Sequence, residues 1–542
     1  MCGIFSFLGS GVEVNILEEY CNKIKHRGPD NTTFKKIKDN LFFGFHRLMI
    51  NGLDDQSNQP LYIKNNNDSI ILICNGEIYN YEKLLNENNF NYKTKSDCEI
   101  IAHMYLKYGI KETLNQLDGV FSFVLYDLKE DKVIVSRDPL GIRSLFIGKT
   151  DSGEYGFCSE MKGLMFCNDV SQFPPGCYWD NHNPDKFNEY YSYNYELNND
   201  DIETIKHKLH DYFTDAVIKR LMSERPVGCL LSGGLDSTLT AAIVKRYYGN
   251  INTYSIGLKG SVDLEFAKIA ADYISSNHYE FEVTEKEFLD FIEPTIKQIE
   301  SFCTTTVRAS VGNFMISKFI SENTTDKVIF CGDVSDEIFA SYRGFMKAPN
   351  SDDFFRENCK LVKDVHMYDV LRSDKSISGA GLEARVPFAD REFVDYVMSI
   401  NPRHKMFNDQ NMEKKIIRDA FKNTDLLPDE LLYRRKEAFS DGVSSQSRSW
   451  FQIIREHVDK IIPDEEFEER CNKFTHCKPY DKESLYYREI YEKYYGTRND
   501  KNIPYYWRHP FNTNLDPSAR LLDCYNDNKD LNTDGNTNIS LS

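Results

Sequence analysis

The chain has 542 residues, too many for one ordinary hydrophobic core, so two or three domains are expected. Its 41% hydrophobic and 28% charged residues describe a globular protein, and a net charge of −18 excludes a general nucleic-acid binder, which needs a basic stripe. The 14 cysteines form no CxxC pair, no signal peptide precedes the first motif, and no stretch reaches membrane-span length, so no disulfide framework is expected and the cytoplasm is the expected compartment.

Residues 2–190 read as strands and turns. "LFFGFHRLMI", "SIILICNGEIYN", "GVFSFVLYD" and "DKVIVSRDPLG" are short apolar or alternating runs bounded by Gly, Asn, Asp and Pro. Within them "SDCEIIAHMYLKYG" is helical, with Ile100, Ile101, Met104, Tyr105 and Tyr108 on one side. Ser96 and Glu99 have capping-box spacing, and Gly109 can end the helix. Residues 191–203, around "YYSYNYELNNDD", read as a linker or lid. From 204 to 523, helical patterns alternate with "VGCLL", "NTYSIGL" and "KVIFCGD", as in an α/β domain with a parallel sheet. Residues 524–542 are rich in Asn, Asp and Ser and are expected to be a disordered tail.

"VGCLLSGGLDSTLTAAIVKRYY" reads as a buried strand, a glycine turn at Ser232-Gly233-Gly234-Leu235-Asp236-Ser237, and a helix with Leu239, Ala242, Ile243 and Tyr247 on one face. Paired glycines expose backbone N–H groups ahead of a helix N-terminus, which suits phosphate. No Lys follows, so the loop is not a Walker A motif. Asp236 among phosphates calls for Mg²⁺. "KVIFCGDVSDEIFASY" repeats the strand–turn–helix pattern with Asp333, Asp336 and Glu337 at the turn, and two such loops at adjacent strand ends could share one site. Plainer readings stand beside these: a glycine βα turn, and an acidic first helical turn.

Cys2 becomes the chain terminus if Met1 is removed. Its thiol would then lie beside a free α-amine, whose reference pKa of about 7.7–8.0 suits a base. Such a nucleophile needs an oxyanion stabiliser, and Asn75 and Gly76 offer an amide and an open N–H. Glu77 and Asp97 could hold a substrate ammonium, and Arg47 a carboxylate. The implied substrate is an amino acid with a side-chain amide. Singly, "NG" is also a hairpin turn, Asp97 a helix cap and Arg47 a surface charge.

Together the motifs carry a family resemblance. "MCGIF", "HRGPD", "FHRLMI", "NGEIYNY", "KSDCEII", "LDGVFSFVLYD", "SRDPLGIRSLF" and "CSEMKGL" resemble a class II (Ntn-type) glutamine amidotransferase domain. Joined to "SGGLDS", "TTTVRAS", "CGDVSDEIFASY", "LRSDKSISGAGLEARVPFAD", "YRRKEAFSDGV" and "LDPSAR", the chain is similar to the glutamine-hydrolysing asparagine synthetase family. The resemblance implies an α+β Ntn-hydrolase-like N-terminal domain of layered β-sheets with helices. An α/β parallel-sheet ATP pyrophosphatase domain rich in helices would follow.

It also implies roles. Cys2 would attack the glutamine δ-carbonyl, with Asn75 and Gly76 as oxyanion hole and Arg47, Glu77 and Asp97 holding the glutamine backbone. Aspartate would attack the α-phosphorus of ATP, giving β-aspartyl-AMP, which ammonia then converts through an internal tunnel. Ser232, Gly233, Gly234, Asp236 and Ser237 would cradle pyrophosphate, and Leu231, Ile256, Cys331 and Gly332 would contact nucleotide. Thr305 and Arg308 would bind aspartate, Asp236 and Asp336 Mg²⁺, and Lys436 would neutralise phosphate charge during adenylation. The implied partners are glutamine, aspartate and ATP, with no nucleic acid or membrane, and a homodimer is left open.

Where the family reads "GEGSDE", this chain has "GDVSDE". Asp333 is one methylene shorter than the usual glutamate, withdrawing the carboxylate by about 1.5 Å, and Val334 replaces a glycine. The expectation is that Asp333→Glu leaves activity equal or higher unless the loop is rebuilt around aspartate. Two other readings stay open. One is a β-lactam synthetase-like relative, against which an intact Cys2, "NGE" and "SDCE" argue; the other is a non-catalytic regulatory homologue.

Overall fold

A computed structural model describes residues 1–65, 68–407 and 412–522, and the expected tail at 524–542 lies outside them. The first half stacks two antiparallel sheets. One has the order β10-β8-β9-β1-β3-β2, formed by β1 (Gly3–Leu8), β2 (Asn31–Lys38), β3 (Leu41–Arg47), β8 (Phe146–Lys149), β9 (Tyr155–Cys158) and β10 (Asp169–Gln172). The other has the order β12-β11-β7-β6-β5-β4, formed by β4 (Leu61–Asn65), β5 (Asp68–Ile78), β6 (Gly119–Asp127), β7 (Lys132–Arg137), β11 (Cys177–Asp180) and β12 (Asn188–Glu189).

Strand parity explains the layering. Along β5, Ile71 and Ile73 face the other sheet, packing with Ile4, Phe43, Phe45 and Phe157. Ile70, Leu72 and Cys74 face the opposite way, against Ile100, Ile101 and Met104. Side chains alternate along a strand, so a run apolar at every position marks one buried on both faces. That is why "SIILIC" shows no alternation. Asn75 and Glu77 continue the parity of Ile71 and Ile73, which turns them toward the layer between the sheets.

The helical region Glu99–Gln116 differs from its sequence reading in two ways. It has no side-chain cap, because the Glu99 carboxylate accepts from the N–H groups of Lys93 (2.9 Å) and Thr94 (2.7 Å) and meets His103 instead. Gly109 does end the first helix, at a non-helical φ of 76°, and a second helical segment follows it. Tyr108 is exposed rather than part of the apolar face.

The second half is built on a parallel sheet of order β15-β14-β13-β16-β17: β13 (Val227–Leu230), β14 (Asn252–Leu258), β15 (Asn277–Val283), β16 (Val328–Phe330) and β17 (Glu383–Arg385). The chain runs outward from β13 on one side, then returns to place β16 on the other. The strand order therefore switches direction between β13 and β16, and the crevice beyond their carboxyl ends is where α/β sheets bind ligands. Helix Leu235–Tyr248 buries Leu239, Ala242 and Ile243, while Tyr247 faces solvent.

Residues 190–201 are a pinned strap, not a loose linker. Tyr190 donates to the Arg137 carbonyl (2.8 Å) and Tyr193 to that of Pro139 (2.6 Å), while Tyr191 donates to Asp395 (2.6 Å). Buried ion pairs also join the halves. Arg27 meets Glu160 and Asp374, each at 2.9 Å, and Arg385 of β17 approaches Glu77 of β5 at 3.4 Å.

Candidate active site

The N-terminal residues of β1 enter the layer into which Asn75 points. Asn75 is fully buried, and neither its amide nitrogen nor its amide oxygen has a hydrogen-bond partner among the described residues. A buried amide left unpaired is unfavourable unless something completes it, so this is a donor held ready. With Met1 in place, its amine pairs with Glu383 of β17 at 3.1 Å, and the Cys2 thiol lies 3.7 Å from the Leu48 carbonyl. Burial pushes that thiol up to about 11.

Glu77 accepts from Asn51 Nδ2 at 2.7 Å. Burial, then the nearby Glu383 and Asp97, push its carboxyl well above the usual range against the pull of Arg385. Asp97 accepts from the Ile78 N–H at 2.7 Å, and burial raises it to about 6. Two buried acids, with Arg385 3.4 Å from Glu77 but burial outweighing it, suit an ammonium ligand. Arg47 differs from its sequence reading as an open clamp. Its guanidinium donates to the carbonyls of Asp54 (2.9 Å), Asn51 (3.3 Å) and Gly52 and to Asn58 Oδ1 (2.6 Å), so it shapes the 51–58 loop.

In the second half, the loops after β13 and β16 enclose a cavity of about 220 Å³. Leu231, Ser232, Gly234, Asp236, Ser237, Ile256, Thr305, Cys331, Gly332, Asp333, Asp336 and Lys436 all line it. The glycines are there for clearance. At Gly233 (φ 69°) an added Cβ would fall 2.3 Å from the Phe266 carbonyl carbon, and at Gly332 one would fall 2.8 Å from the Asp236 Cβ. Only without a side chain at Gly332 can the two loops touch, while Gly233 gives the first loop clearance from the helix Val262–Ile274. Ser232 and Ser237 hydroxyls meet at 3.1 Å, and the Gly234 N–H donates to Ser232 Oγ at 3.3 Å.

The acidic groups meet Lys436, expected from its motif, and Lys414, which no motif signalled. Lys414 Nζ lies 2.5 Å from Asp236 and 2.6 Å from Asp336, and Lys436 also pairs with Asp336. Burial opposes the charge on Asp336, but the two lysines win and hold it well below its usual range. One ammonium thus bridges both carboxylates, so the pair has the spacing and donor chemistry for a cation. Lys414 sits in the plain charged run "MEKKIIRD", which gave no hint of its role.

Asp333 is anchored on one side. Its Oδ1 accepts from Arg372 Nη2 at 2.6 Å, and Arg372 also pairs with Asp369, which holds the Val334 N–H at 3.1 Å. Burial works against the charged form, but Arg372 outweighs it and keeps Asp333 below its usual value. Oδ2 is buried without a hydrogen-bond partner among the described residues. Asp333 also borders a narrow seam toward Ile142 and Arg143 of the first half, with no room for water. Val334 adopts φ 75°, a strained conformation for a β-branched residue. Arg308 does not reach the cavity. It forks onto Glu483 (2.7 and 2.6 Å) and Asp516 (3.0 and 2.8 Å), which engages four of its five N–H donors away from the cavity. Glu337 likewise turns inward, accepting from Tyr342 at 2.6 Å.

Known proteins match both halves. A family described as glutamine amidotransferase domain matches residues 1–208, and one described as asparagine synthase matches 208–361 and 348–513. The curated asparagine synthetase [glutamine-hydrolyzing] of Gallus gallus is 38% identical over 562 residues, covering 97% of this chain and 99% of that one. That of Homo sapiens is 38% identical over 560 residues with the same coverage. A solved B. subtilis glutamine phosphoribosylpyrophosphate amidotransferase complexed with ADP and GMP aligns over 47% of this chain and 66% of its own at 21% identity. Its TM-score of 0.31 is too low to support any argument.

Proposed function

The chain belongs to the glutamine-hydrolysing asparagine synthetase family, and from that premise we propose how its residues divide the work. The overall reaction is glutamine-dependent asparagine synthesis. ATP, L-aspartate, L-glutamine and water give AMP, diphosphate, L-asparagine and L-glutamate. The family match does not favour a ring-closing relative or a non-catalytic homologue.

In the first half-reaction, Cys2 freed of Met1 attacks the glutamine δ-carbonyl while its own α-amine takes the thiol proton. The Asn75 amide and Gly76 N–H stabilise the oxyanion. Glu77 and Asp97 hold the substrate ammonium. Arg47 binds the carboxylate after releasing part of its loop, or orders that loop around it. Ammonia leaves, and water hydrolyses the thioester.

In the second, the aspartate β-carboxylate attacks the α-phosphorus and pyrophosphate departs into the Ser232–Ser237 loop. Lys436 balances the charge that develops there, in a buried setting where one cation counts for much. Thr305 stands at the aspartate end of the cavity, and Leu231, Ile256, Cys331 and Gly332 take the nucleotide. Asp236 and Asp336 would hold Mg²⁺, which when bound neutralises phosphate charge. Asp333, between cavity and seam, receives the incoming ammonia. The observation that carries this reading is the contact of the two loops around one cavity.

The domains are proposed as 2–190 and 204–523, joined by the 191–203 strap. Among the described residues no helix is long and apolar enough to cross a membrane. Cytoplasmic residence and a homodimer belong to the same proposal, to be checked by fractionation and by mass in solution. The main test supplies ATP, Mg²⁺ and aspartate with either glutamine or ¹⁵N-ammonium. Cys2→Ala should lose asparagine formation from glutamine and keep it from ammonium; loss of both would overturn the two-site account.

A further inference from the structure

Among the polar groups on the cavity wall that no step above uses is the side-chain amide of Asn313. Helix Thr304–Asn323 turns Thr305, Ala309, Asn313 and Ile316 toward the cavity, a spacing that follows one helical face. Asn313 is 3% exposed, and its Nδ2 has no hydrogen-bond partner among the described residues. Buried amide donors are almost always paired, so an unpaired one on a cavity wall points to a missing ligand acceptor.

Its surroundings describe that ligand. The helix packs on β14, and Ile256, Leu230, Ile316 and Phe439 share the wall. Phe439 lies against the helix one residue away, since a Cβ on Gly312 would meet its ring at 3.0 Å. The cations and acids gather at Asp236, Asp336, Lys414 and Lys436, where the phosphates would go. An apolar wall with one amide suits a flat heteroaromatic ring, whereas an anion would need a cation there.

We propose that Asn313 reads the nucleobase of the nucleotide, with Nδ2 donating to purine N7 and Oδ1 accepting from the neighbouring exocyclic amine. This rests on the reading that the cavity takes ATP, and it makes Asn313 a specificity residue. Side-chain amides match adenine in this way because its N6 amine donor adjoins the N7 acceptor. A purine with a carbonyl at C6 presents two acceptors on that edge, sets oxygen against Oδ1 and is rejected.

Calorimetry on the full chain tests this without relying on a variant folding. ATP, ITP, purine riboside triphosphate, 1-deaza-ATP and 7-deaza-ATP are titrated with Mg²⁺ present and aspartate omitted. ITP and the riboside triphosphate should bind about tenfold more weakly than ATP, the scale of one or two lost hydrogen bonds. 7-deaza-ATP should weaken similarly, and 1-deaza-ATP should bind as ATP does. Asn313→Leu should lower ATP affinity about tenfold, leave ITP and pyrophosphate unchanged, and so close the ATP–ITP gap. Equal binding of ATP and ITP by the unaltered protein, or an unchanged gap in Asn313→Leu, would overturn the proposal while leaving ATP use intact. No binding of either ATP or pyrophosphate by the unaltered protein would overturn the ATP reading and this inference together.

Discussion

Asp333→Glu is the most informative single substitution, because sequence and structure point in opposite directions. Comparison with the family motif suggests that restoring glutamate should help. The geometry says otherwise. Asp333 Oδ1 already meets Arg372 at 2.6 Å, and Arg372 is held in turn by Asp369. An added methylene extends the carboxylate by about 1.5 Å. To keep its bond to Arg372 it must push Arg372 off Asp369, move the strained Val334 backbone, or fold back into the seam; extending into the cavity would instead give up that bond and fill substrate space. Overpacking of this kind costs about 1–3 kcal/mol, and a displacement near 1 Å at a reacting centre can cost about 10²-fold in rate. We therefore expect ammonia-dependent asparagine formation to fall about 10–100-fold, with glutamine hydrolysis within about twofold of wild type, because the Cys2 site is not altered. The assay follows ¹⁵N-asparagine by mass spectrometry, with ATP–pyrophosphate exchange measured alongside to locate the affected step. Equal or higher synthesis in the Glu variant would refute the argument that the loop is built around aspartate.

Asn75→Ala should lower the glutaminase kcat about 10²–10³-fold while ammonia-dependent synthesis is retained. Because the amide has no partner to lose among the described residues, the thermal midpoint should hold, and a large drop would show a structural role. For pH, burial raises Asp97 to about 6, so the carboxylate that would hold glutamine's ammonium is present above that value and lost below it. The KM for glutamine in the glutaminase reaction should therefore rise about tenfold per pH unit below pH 6; a flat glutamine profile would remove Asp97 from the clamp. Lys414→Met strips the cation shared by Asp236 and Asp336, which leaves Lys436 on only one of them. Its thermal midpoint should fall and recover with added Mg²⁺ more than wild type does, as binding to the folded state predicts. A midpoint insensitive to Mg²⁺ would count against a cation site at this pair.

What was legible in the sequence was local. Strand runs, glycine turns and acidic helix starts are patterns within about ten residues, set by backbone sterics and side-chain periodicity. They located both halves, the Ser232–Ser237 loop and Asn75 beside Gly76 without any knowledge of neighbours. Where packing competed, local patterns failed: Glu99 left its cap to serve Lys93 and Thr94, and Tyr247 stayed in solvent. Tertiary structure decided which charges meet. Lys414 reaches Asp236 across 178 residues and Arg308 finds Glu483 across 175, distances over which no periodic pattern carries information. The same holds for Asn313, an unremarked amide in a helical run until folding set it unpaired on a cavity wall. Chain-local chemistry determined where reactions are possible in this protein. Burial then decided which side chains are already engaged and which are left open to a ligand, because desolvation obliges each buried polar group to find a partner that only the assembled fold, or a substrate, supplies.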